Sequence, residues 1–369
     1  MPTLEDHLLT RVGEGGFKVQ TGTRSVVNDK MHGANKDIWG HWLPLWAQQM
    51  ARNYPIISQA MGVQFLSDAA KGIPAIVVGI GPSLDGDMEW LSRAGRNAIL
   101  ISTDAALRPL QAHGIDPHIV IQLDCKAKNV TMFEGLRTDH LVMVASSCIH
   151  PDVIHAWKGR FLFYNHAQNE SEFTTHILPS VFPHIGPMDS KATVGNMGVL
   201  LAHKMGCSRV IVSGMDMCYQ PRKGQAPVEG AKKEFIYRAT DYAWVEGTRD
   251  VAGHWEPKEN KVLYDNADRL NGSFDLELKG KRFRVDHELD FYRKALLEMV
   301  GESGMEFTNC AVDGILQDFV ETIPLEKALM DYCQPAFSPG QTVIPHLVKL
   351  IPMEPAREFE RVIEIPRRA

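Results

Sequence analysis

A short run of glycine, proline and serine offers the most specific chemistry in this chain. Residues 79–83 read Gly-Ile-Gly-Pro-Ser and directly follow the apolar residues 75–78. Glycine has no Cβ atom, so the backbone can bend sharply there and approach a ligand. Proline suits the first position of a helix, where free N–H groups and the helix dipole favour an anion. The spacing therefore predicts a strand, a tight turn and a helix start that bind a phosphate.

Two common nucleotide-binding motifs do not fit these residues. The dinucleotide fingerprint needs a third glycine at position 84, which is Leu84, and the P-loop needs a Gly-Lys-Ser/Thr ending that the run lacks. Taken alone, the run is equally typical of a tight strand-to-helix connection in an α/β core. Other residues of the chain must decide between the two interpretations.

Small polar residues and acids follow several other apolar runs. Thr103 and Asp104, then Asp124, and later residues 213–216 each come directly after such a run. If these runs are parallel strands, their carboxyl ends share one edge of a sheet, where folds of this kind bind ligands. Carboxylates at that edge could hold Mg²⁺ or hydrogen-bond a ribose, although for any single Asp the role of a helix N-cap is the more common one.

Apolar runs alternate with helix-length intervals between residues 72 and 318. The runs are 75–78, 98–102, 119–123, 141–145, 161–163 and 210–212. This alternation predicts an α/β fold, a Rossmann-like three-layer sandwich with a mostly parallel sheet. We expect residues 72–318 to form one domain of this kind.

The two ends of the chain have a different pattern. Residues 1–71 lack a strand rhythm and contain Pro44 and Pro55, so we expect a small N-terminal cap of short helices. Residues 319–369 are expected to form a C-terminal appendage. Its predicted parts are a helix over Leu325–Tyr332 and an extended tail that is rich in proline.

Composition and charge narrow the class of protein. The 369 residues carry a formal net charge of −6 at pH 7 and are 44% hydrophobic. These values are typical of a globular protein and argue against a general binder of nucleic acid or of a membrane surface. No apolar run is long enough to span a bilayer, and the first residues are too polar for a signal peptide, so we expect a cytoplasmic protein. The 6 cysteines include no Cys-x-x-Cys pair, which favours reduced thiols over disulfides or a structural zinc site.

Three blocks of sequence, in this order, carry a resemblance to known transferases. They are Gly79–Asp85 with Thr103–Leu107 and Gly114–Pro117 leading to Asp124; Ala192–Gly198 with Gly206–Tyr219; and Val285–Tyr292 with Asn309–Gly314. The blocks resemble the motility accessory factor family, which shares a domain with the archaeal 6-hydroxymethylpterin diphosphokinases, the MptE-like proteins. The second block also resembles the bacterial family 42 sialyltransferases, which use cytidine-monophosphate (CMP) sugars. The resemblance extends roughly from Phe65 to Leu316.

The resemblance implies a transferase that binds a nucleotide-activated donor in a Rossmann-like site. Motility accessory factors attach nonulosonic acids, relatives of sialic acid, to serine or threonine of flagellin. By position, the implied donor site consists of Gly79, Gly81, Pro82 and Ser83 at the phosphate; Thr103 and Asp104 near the ribose or base; Thr193 and Gly195 at the cytidine phosphate or sugar carboxylate; and Ser213, Gly214, Asp216 and Tyr219 closing the nucleotide site. The sialyltransferases have a hydroxyl residue where this chain has Val194.

Transfer to a hydroxyl needs a base, and His287 is the best candidate in the sequence. Histidine side chains ordinarily titrate near neutrality, and this one stands between Asp286 and Glu288, either of which could orient the ring. The family 42 enzymes have a histidine in a comparable late segment. The alternative is structural, since Asp286 also fits the N-cap of a following helix.

A cation-rich segment follows the expected nucleotide site. Residues 220–275 include the basic clusters 222–223 and 232–233, which favour a lid over an anionic donor or, equally, a solvated loop.

We therefore expect a glycosyltransferase-like enzyme that moves a sugar from a CMP-activated donor to a hydroxyl of a protein or small molecule, without a required cofactor. The first alternative is a diphosphokinase that uses ATP and Mg²⁺ on a pterin alcohol, with Asp104, Asp124 and Asp216 available as metal ligands. The second is a non-catalytic nucleotide-binding module. The sugar, the acceptor and the oligomeric state stay open.

Overall fold

The computed structural model describes residues 9–12, 16–19, 26–167, 171–189, 192–221, 235–236, 245–249, 255–262, 272–317 and 320–333, and side chains within 42–167, 171–189, 192–220, 272–317 and 320–333. Most of the predicted lid and the tail 334–369 lie outside the described residues.

The strands, in chain order, are β1 Leu9–Val12, β2 Gly16–Val19, β3 Met61–Gly62, β4 Ala75–Val78, β5 Ile99–Thr103, β6 Ile119–Gln122, β7 Val142–Ser146, β8 Arg160–Ala167, β9 Pro187–Asp189, β10 Val210–Ser213, β11 Gln220–Pro221, β12 Phe235–Ile236, β13 Val245–Arg249, β14 Trp255–Val262, β15 Phe274–Leu278, β16 Lys281–Val285, β17 Phe307–Asn309 and β18 Glu321–Thr322. The α-helices are α1 Val26–Ile57, α2 Leu84–Ala94, α3 Asp104–Ala112, α4 Pro151–Ala156, α5 Leu178–Val181, α6 Val194–Lys204, α7 His287–Ser303 and α8 Leu325–Tyr332. Short 3₁₀ turns cover Val63–Leu66 and Ala127–Met132, and a π turn covers Phe173–Ile177.

The described part of the chain contains one large sheet of 10 strands, and its pairings are parallel. The order across the sheet is β18-β17-β10-β4-β5-β6-β7-β8-β3, with β9 paired to β8. The four residues of β4 are fully buried, as a strand covered on both faces requires. The predicted Rossmann-like α/β fold is confirmed.

The sheet reverses its direction of growth beside β4. From β4 the chain adds β5, β6, β7 and β8 on one side, and β10 then pairs with the other side of β4, Val212 opposite Val77. Strands β4 and β10 therefore flank the topological switch point, and ligands of open α/β sheets bind at this point.

Helices cover both faces of the sheet and complete the three layers. On one face Val77 and Ile101 pack in the same apolar cluster as Met197 of α6, and on the other face Val78 packs with Leu84 of α2. Gly198 lets α6 approach closely, because a Cβ atom there would lie 2.7 Å from Cγ1 of Val77.

The predicted apolar runs correspond to β4, β5, β6, β7, β8 and β10. Strand β8 extends to Ala167, beyond the predicted end at residue 163. The extension holds Tyr164, Asn165 and His166, which are buried although they are not aliphatic. An apolar pattern could not identify these residues as part of a strand.

The N-terminal region differs from the prediction of short helices without strands. Helix α1 continues through Pro44 and Pro55, β1 and β2 form an antiparallel pair before it, and β3 joins the edge of the large sheet. Ile56 and Ile57, at the end of α1, are buried in the core, so packing stabilises a helix that proline alone would disfavour.

Several further predictions concern the rest of the chain. The predicted helix Leu325–Tyr332 is confirmed as α8, and all six cysteines are free thiols. Within the described ranges, no helix has the length and apolar character needed to cross a membrane.

Candidate functional site

The glycine turn after β4 is bonded to the segment that follows β10. The N–H of Gly79 donates to the carbonyl of Ser213 at 2.8 Å, and the N–H of Gly81 donates to the carbonyl of Gly214 at 2.6 Å. A Cβ atom on Gly79 would lie 2.5 Å from the oxygen of Gly214, which itself has a positive φ of 66°. The glycines thus serve the close approach of two protein segments at the switch point.

Asp216 places a carboxylate at the start of α2. Its two carboxylate oxygens each lie 3.2 Å from the backbone nitrogen of Ser83, and the Ser83 hydroxyl donates to Oδ2 at 2.8 Å. The side-chain amide of Gln220 also donates to Oδ1. An acid of the protein therefore takes the place at this helix start that was predicted for a ligand phosphate.

The N–H groups of the turn are largely used within the protein. Gly79, Gly81 and Ser83 donate as described above, Leu84 donates to the carbonyl of Gly81, and Pro82 has no N–H. The prediction of free N–H groups at these positions is wrong, because Ser213, Gly214 and Asp216 supply acceptors from the segment at β10 and Gly81 supplies a local one. Binding of a donor at the turn stays a prediction.

A second acid, Asp87 of α2, bonds to the end of β10. The hydroxyl of Ser213, the last residue of β10, donates to Oδ2 of Asp87 in the first turn of α2 at 2.7 Å. Burial raises the pKa of Asp87 to about 6, although the hydrogen bond from the Ser213 hydroxyl acts in the opposite direction. Burial also raises the pKa of Asp216 to about 6; the charge of Asp87 adds to this rise, and the bonds from Ser83 oppose it. Asp87 could not be recognised from the sequence, because it resembles an ordinary first-turn acid.

Thr103 ends β5, beside the glycine turn. Strand β5 pairs with β4 through Ser102 opposite Val78, so Thr103 and Gly79 are the next residues along this pair. Thr103 is only 5% exposed, and its Oγ1 has no hydrogen-bond partner among the residues that the structure describes. Thr103 occupies the N-cap position of α3, but its hydroxyl makes no capping hydrogen bond. Oδ1 of Asp104 accepts the N–H of Ala105 at 2.8 Å. A buried hydroxyl without a partner costs stability, which is a common feature of ligand sites.

Thr193 and Gly195 lie at the start of α6, on the same edge of the sheet. Oγ1 of Thr193 accepts the N–H groups of Gly195 at 3.0 Å and Asn196 at 3.4 Å, so Thr193 is the N-cap. A Cβ atom on Gly195 would lie 2.9 Å from Cε of Met215, beyond the end of β10. The structure therefore brings this helix start next to the segment that closes the switch point.

Tyr219 is bonded to the start of α7, the helix that carries His287. The hydroxyl of Tyr219, a residue predicted to close the nucleotide site, donates to Oδ2 of Asp286 at 2.7 Å. Asp286 caps α7 by accepting the N–H of Leu289 at 2.7 Å, and Glu288 accepts from the hydroxyl of Tyr292.

His287 itself is exposed at the start of α7, and the centroid of its ring lies 4.9 Å from the ring centroid of Phe274. Within the described contacts its imidazole bonds to neither acid, and the expected orientation by Asp286 or Glu288 stays a prediction. The carboxylates serve the helix start and two tyrosine hydroxyls. The role of His287 as a base stays a prediction.

Comparison with protein families identifies the segment that contains most of this site. Residues 48–222 match the model of the family described as 6-hydroxymethylpterin diphosphokinase MptE-like. We refer to residues 48–222, which are similar to this family, as the MptE-like segment. It includes the glycine turn, Thr103, Thr193 and Asp216, but it ends before His287. The predicted relationship is thereby confirmed for the segment.

One solved structure shares the fold of the MptE-like segment and its surroundings. The MAf glycosyltransferase from Magnetospirillum magneticum AMB-1 is similar over 76% of this chain, with 18% identity and a TM-score of 0.50. The match covers 39% of that protein, so this chain spans about two fifths of its length. The sialyltransferase CstII from Campylobacter jejuni, solved in complex with a substrate analogue, cytidine-5'-monophosphate, matches 69% of this chain and 87% of its own, with 11% identity and a TM-score of 0.31. A comparison with curated protein sequences gives no match.

The acids of the MptE-like segment do not form the predicted metal site. Among the side chains that the structure describes, no three His, Cys, Asp or Glu residues lie together as metal ligands. Asp104, Asp124 and Asp216 are therefore not assembled into a set that fits Mg²⁺. Asp216 is instead bonded to Ser83 and Gln220.

Proposed function

We propose that this protein transfers a sugar from a CMP-activated donor to a hydroxyl group. The observation that carries the proposal is the buried hydroxyl of Thr103, which lies next to the glycine turn at the switch point and has no partner among the described residues. Ligands of open α/β sheets bind at this position, and a polar group that lacks a protein partner there is suited to a ligand. The fold that the chain shares with a MAf glycosyltransferase agrees with this role.

The donor would lie across the ends of β4, β5 and β10. Thr103 would hydrogen-bond the ribose or base, and the start of α6 at Thr193 and Gly195 would face the phosphate or a sugar carboxylate, because a helix start favours negative charge. A nonulosonic acid is the proposed sugar. A hydroxyl of a protein or small molecule is the proposed acceptor.

His287 is the proposed base. It is exposed, and the Tyr219–Asp286 bond fixes the helix start that carries it. In a single displacement, the acceptor oxygen would bond to the anomeric carbon as its proton passes to the imidazole. The bond from that carbon to the phosphate oxygen would break, and CMP would leave with the electron pair.

Nucleotide binding tests the proposal. The purified chain is heated with CMP, CTP or ATP, each with and without Mg²⁺, and the unfolding midpoint is measured. A ligand at about 100 times its Kd stabilises the folded state by about 2.7 kcal/mol. Stabilisation by CMP without metal is the expected result.

The other outcomes favour the alternatives. The description of the matched family supports a diphosphokinase, and stabilisation by ATP only with Mg²⁺ would replace the glycosyltransferase proposal with that function. No response to any nucleotide would favour a non-catalytic module with another ligand.

The base is tested with His287→Ala and the matched control Glu288→Gln, an exposed neighbour in the same helical turn. CMP release from CMP-N-acetylneuraminate is followed by chromatography. We expect His287→Ala to keep CMP affinity within about twofold and to lose about 100-fold in turnover, a typical contribution of a general base. Unchanged turnover would remove His287 from the mechanism.

A further inference from the structure

Two serine–aspartate pairs cross the switch point in opposite directions. Ser83, before α2, donates to Asp216 beyond β10 at 2.8 Å, and Ser213, at the end of β10, donates to Asp87 in α2 at 2.7 Å. Each pair joins the residues that follow one strand to those that follow the other. The bonds Gly79 to Ser213 and Gly81 to Gly214 run between the same two segments, so the glycine turn is fixed along its length.

The carboxylate of Asp216 is buried and surrounded by hydrogen-bond donors of the protein. The residue is 1% exposed and accepts bonds from the N–H and hydroxyl of Ser83 and from the amide of Gln220. A Cβ atom on Gly81 would lie 2.1 Å from Oδ2 of Asp216. On the other side, the backbone carbonyl of Asp216 accepts the N–H of Ile315 at 2.9 Å. An incoming phosphate could displace this carboxylate only by breaking several of these contacts.

We infer that the carboxylate of Asp216 supplies the negative charge at the start of α2 in place of a ligand. Asp216 and Asp87 are thereby positioning residues for the ligand cleft. Through Ser83 and Ser213 they hold the glycine turn closed. The phosphate of a nucleotide ligand therefore binds away from the start of α2. This statement about the phosphate rests on the proposed function, whereas the role of the two pairs in shaping the turn does not.

The position of the phosphate is tested by the ratio of CMP to cytidine affinity, because the two ligands differ only in that group. A phosphate beside Asp216 would be repelled by its charge, so Asp216→Asn would raise the ratio about tenfold or more. We expect a ratio within about twofold of the unaltered protein, measured by calorimetry at a temperature where each variant is folded. Asp85→Asn is the matched control, since Asp85 is an exposed acid in the same helical turn. A tenfold rise in Asp216→Asn alone would overturn the inference.

The positioning role is tested by double-variant cycles on CMP affinity. We expect Ser83→Ala and Asp216→Asn each to weaken CMP binding about fivefold, and the double variant to bind no more weakly than the worse single variant, because the two side chains act as a unit. Ser213→Ala with Asp87→Asn forms a second cycle of the same design. A merely structural pair would lower the unfolding midpoint without changing the affinity of the folded protein, and that result would overturn the positioning role.

A third measurement needs no nucleotide. The unfolding equilibrium constant in urea is determined for Ser83→Ala, Asp216→Asn and the double variant. We expect a non-additive coupling of about tenfold in that constant. Additive effects would overturn the role of the pair in the turn. If the unaltered protein does not bind CMP, the proposed function and the phosphate statement fail together, while this coupling still decides whether the pairs shape the turn.

Discussion

The hydroxyl of Tyr219 donates a 2.7 Å hydrogen bond to Oδ2 of Asp286, and the two side chains are buried together. The other carboxylate oxygen caps α7 through the N–H of Leu289. The N–H of Tyr219 also donates to the carbonyl of Arg284 at 2.8 Å, so the segment after β10 is attached to both β16 and α7. This attachment brings His287 to the segment that follows β10, although His287 is distant from it in sequence.

We expect Tyr219→Phe to lower the free energy of unfolding by about 1–2 kcal/mol, because a buried carboxylate oxygen loses a hydrogen-bond donor. Urea denaturation followed by circular dichroism measures the change. Tyr292→Phe is the matched control, since the Tyr292 hydroxyl bonds to the exposed Glu288 and its loss should cost less than about 0.5 kcal/mol. Equal losses in both variants would contradict the structural role of the Tyr219–Asp286 bond.

Gly81→Ala is expected to destabilise the protein by about 3 kcal/mol or more. The added Cβ would lie 2.1 Å from Oδ2 of Asp216 and 2.7 Å from the carbonyl oxygen of Gly214, so the turn must shift. Gly86→Ala provides the control, because Gly86 lies in α2, is exposed and has no described atom within 4 Å of the added Cβ. Alanine should stabilise that position by roughly 0.5–1 kcal/mol. Differential scanning calorimetry measures both changes, and a tolerated Gly81→Ala would mean that the turn is looser than described.

The sheet could be predicted from the sequence because parallel strands covered on both faces consist of continuous apolar residues. Residues 75–78 and 210–212 are of this kind, and they became β4 and β10 with little change in their ends. The same pattern predicted which edge of the sheet contains the carboxyl ends of these strands. Helix α1 could not be predicted as one element, since the cost of Pro44 and Pro55 is outweighed by tertiary contacts that a local pattern does not contain.

The partners of the polar side chains could not be predicted in the same way. Ser83 and Asp216 are 133 residues apart, and their contact depends on the neighbouring positions of β4 and β10 in the sheet. The sequence therefore identified Asp216 and Tyr219 as polar residues of the right edge but assigned them to ligands. The N-cap role of Asp286, which depends only on local sequence, was predictable and is confirmed.

The buried Asp216 and the half-buried Asp87 should give stability a characteristic pH dependence. The pKa of both Asp87 and Asp216 is raised to about 6 in the folded protein, so the folded state keeps protons that the unfolded state has released. Stability from these groups is present below about pH 4 and is lost as the pH rises through about 6. An asparagine at position 87 does not undergo this loss. As the pH rises from about 4 to about 6, Asp87→Asn should therefore gain on the order of 2–3 kcal/mol in stability relative to the unaltered protein.

Urea unfolding between about pH 4 and pH 7 measures this difference. The exposed acid Asp85 gives the control, and Asp85→Asn should leave the pH dependence of the unaltered protein in place. If the curves for Asp87→Asn and the unaltered protein run parallel, Asp87 does not bind a proton in the folded state in this range.

The same substitution at two threonines should have opposite effects on stability. Oγ1 of Thr103 is buried without a partner in the described part of the chain, so Thr103→Val should leave the free energy of unfolding unchanged or raise it by up to about 1 kcal/mol. Oγ1 of Thr193 caps α6 through two N–H groups, so Thr193→Val should lower it by about 1 kcal/mol. In binding, Thr103→Val should weaken CMP affinity about tenfold, because the hydroxyl loses its proposed ligand partner. Urea unfolding and calorimetric titration with CMP measure the two effects. A destabilised Thr103→Val protein with normal CMP affinity would mean that the hydroxyl has a structural partner and does not contact the ligand.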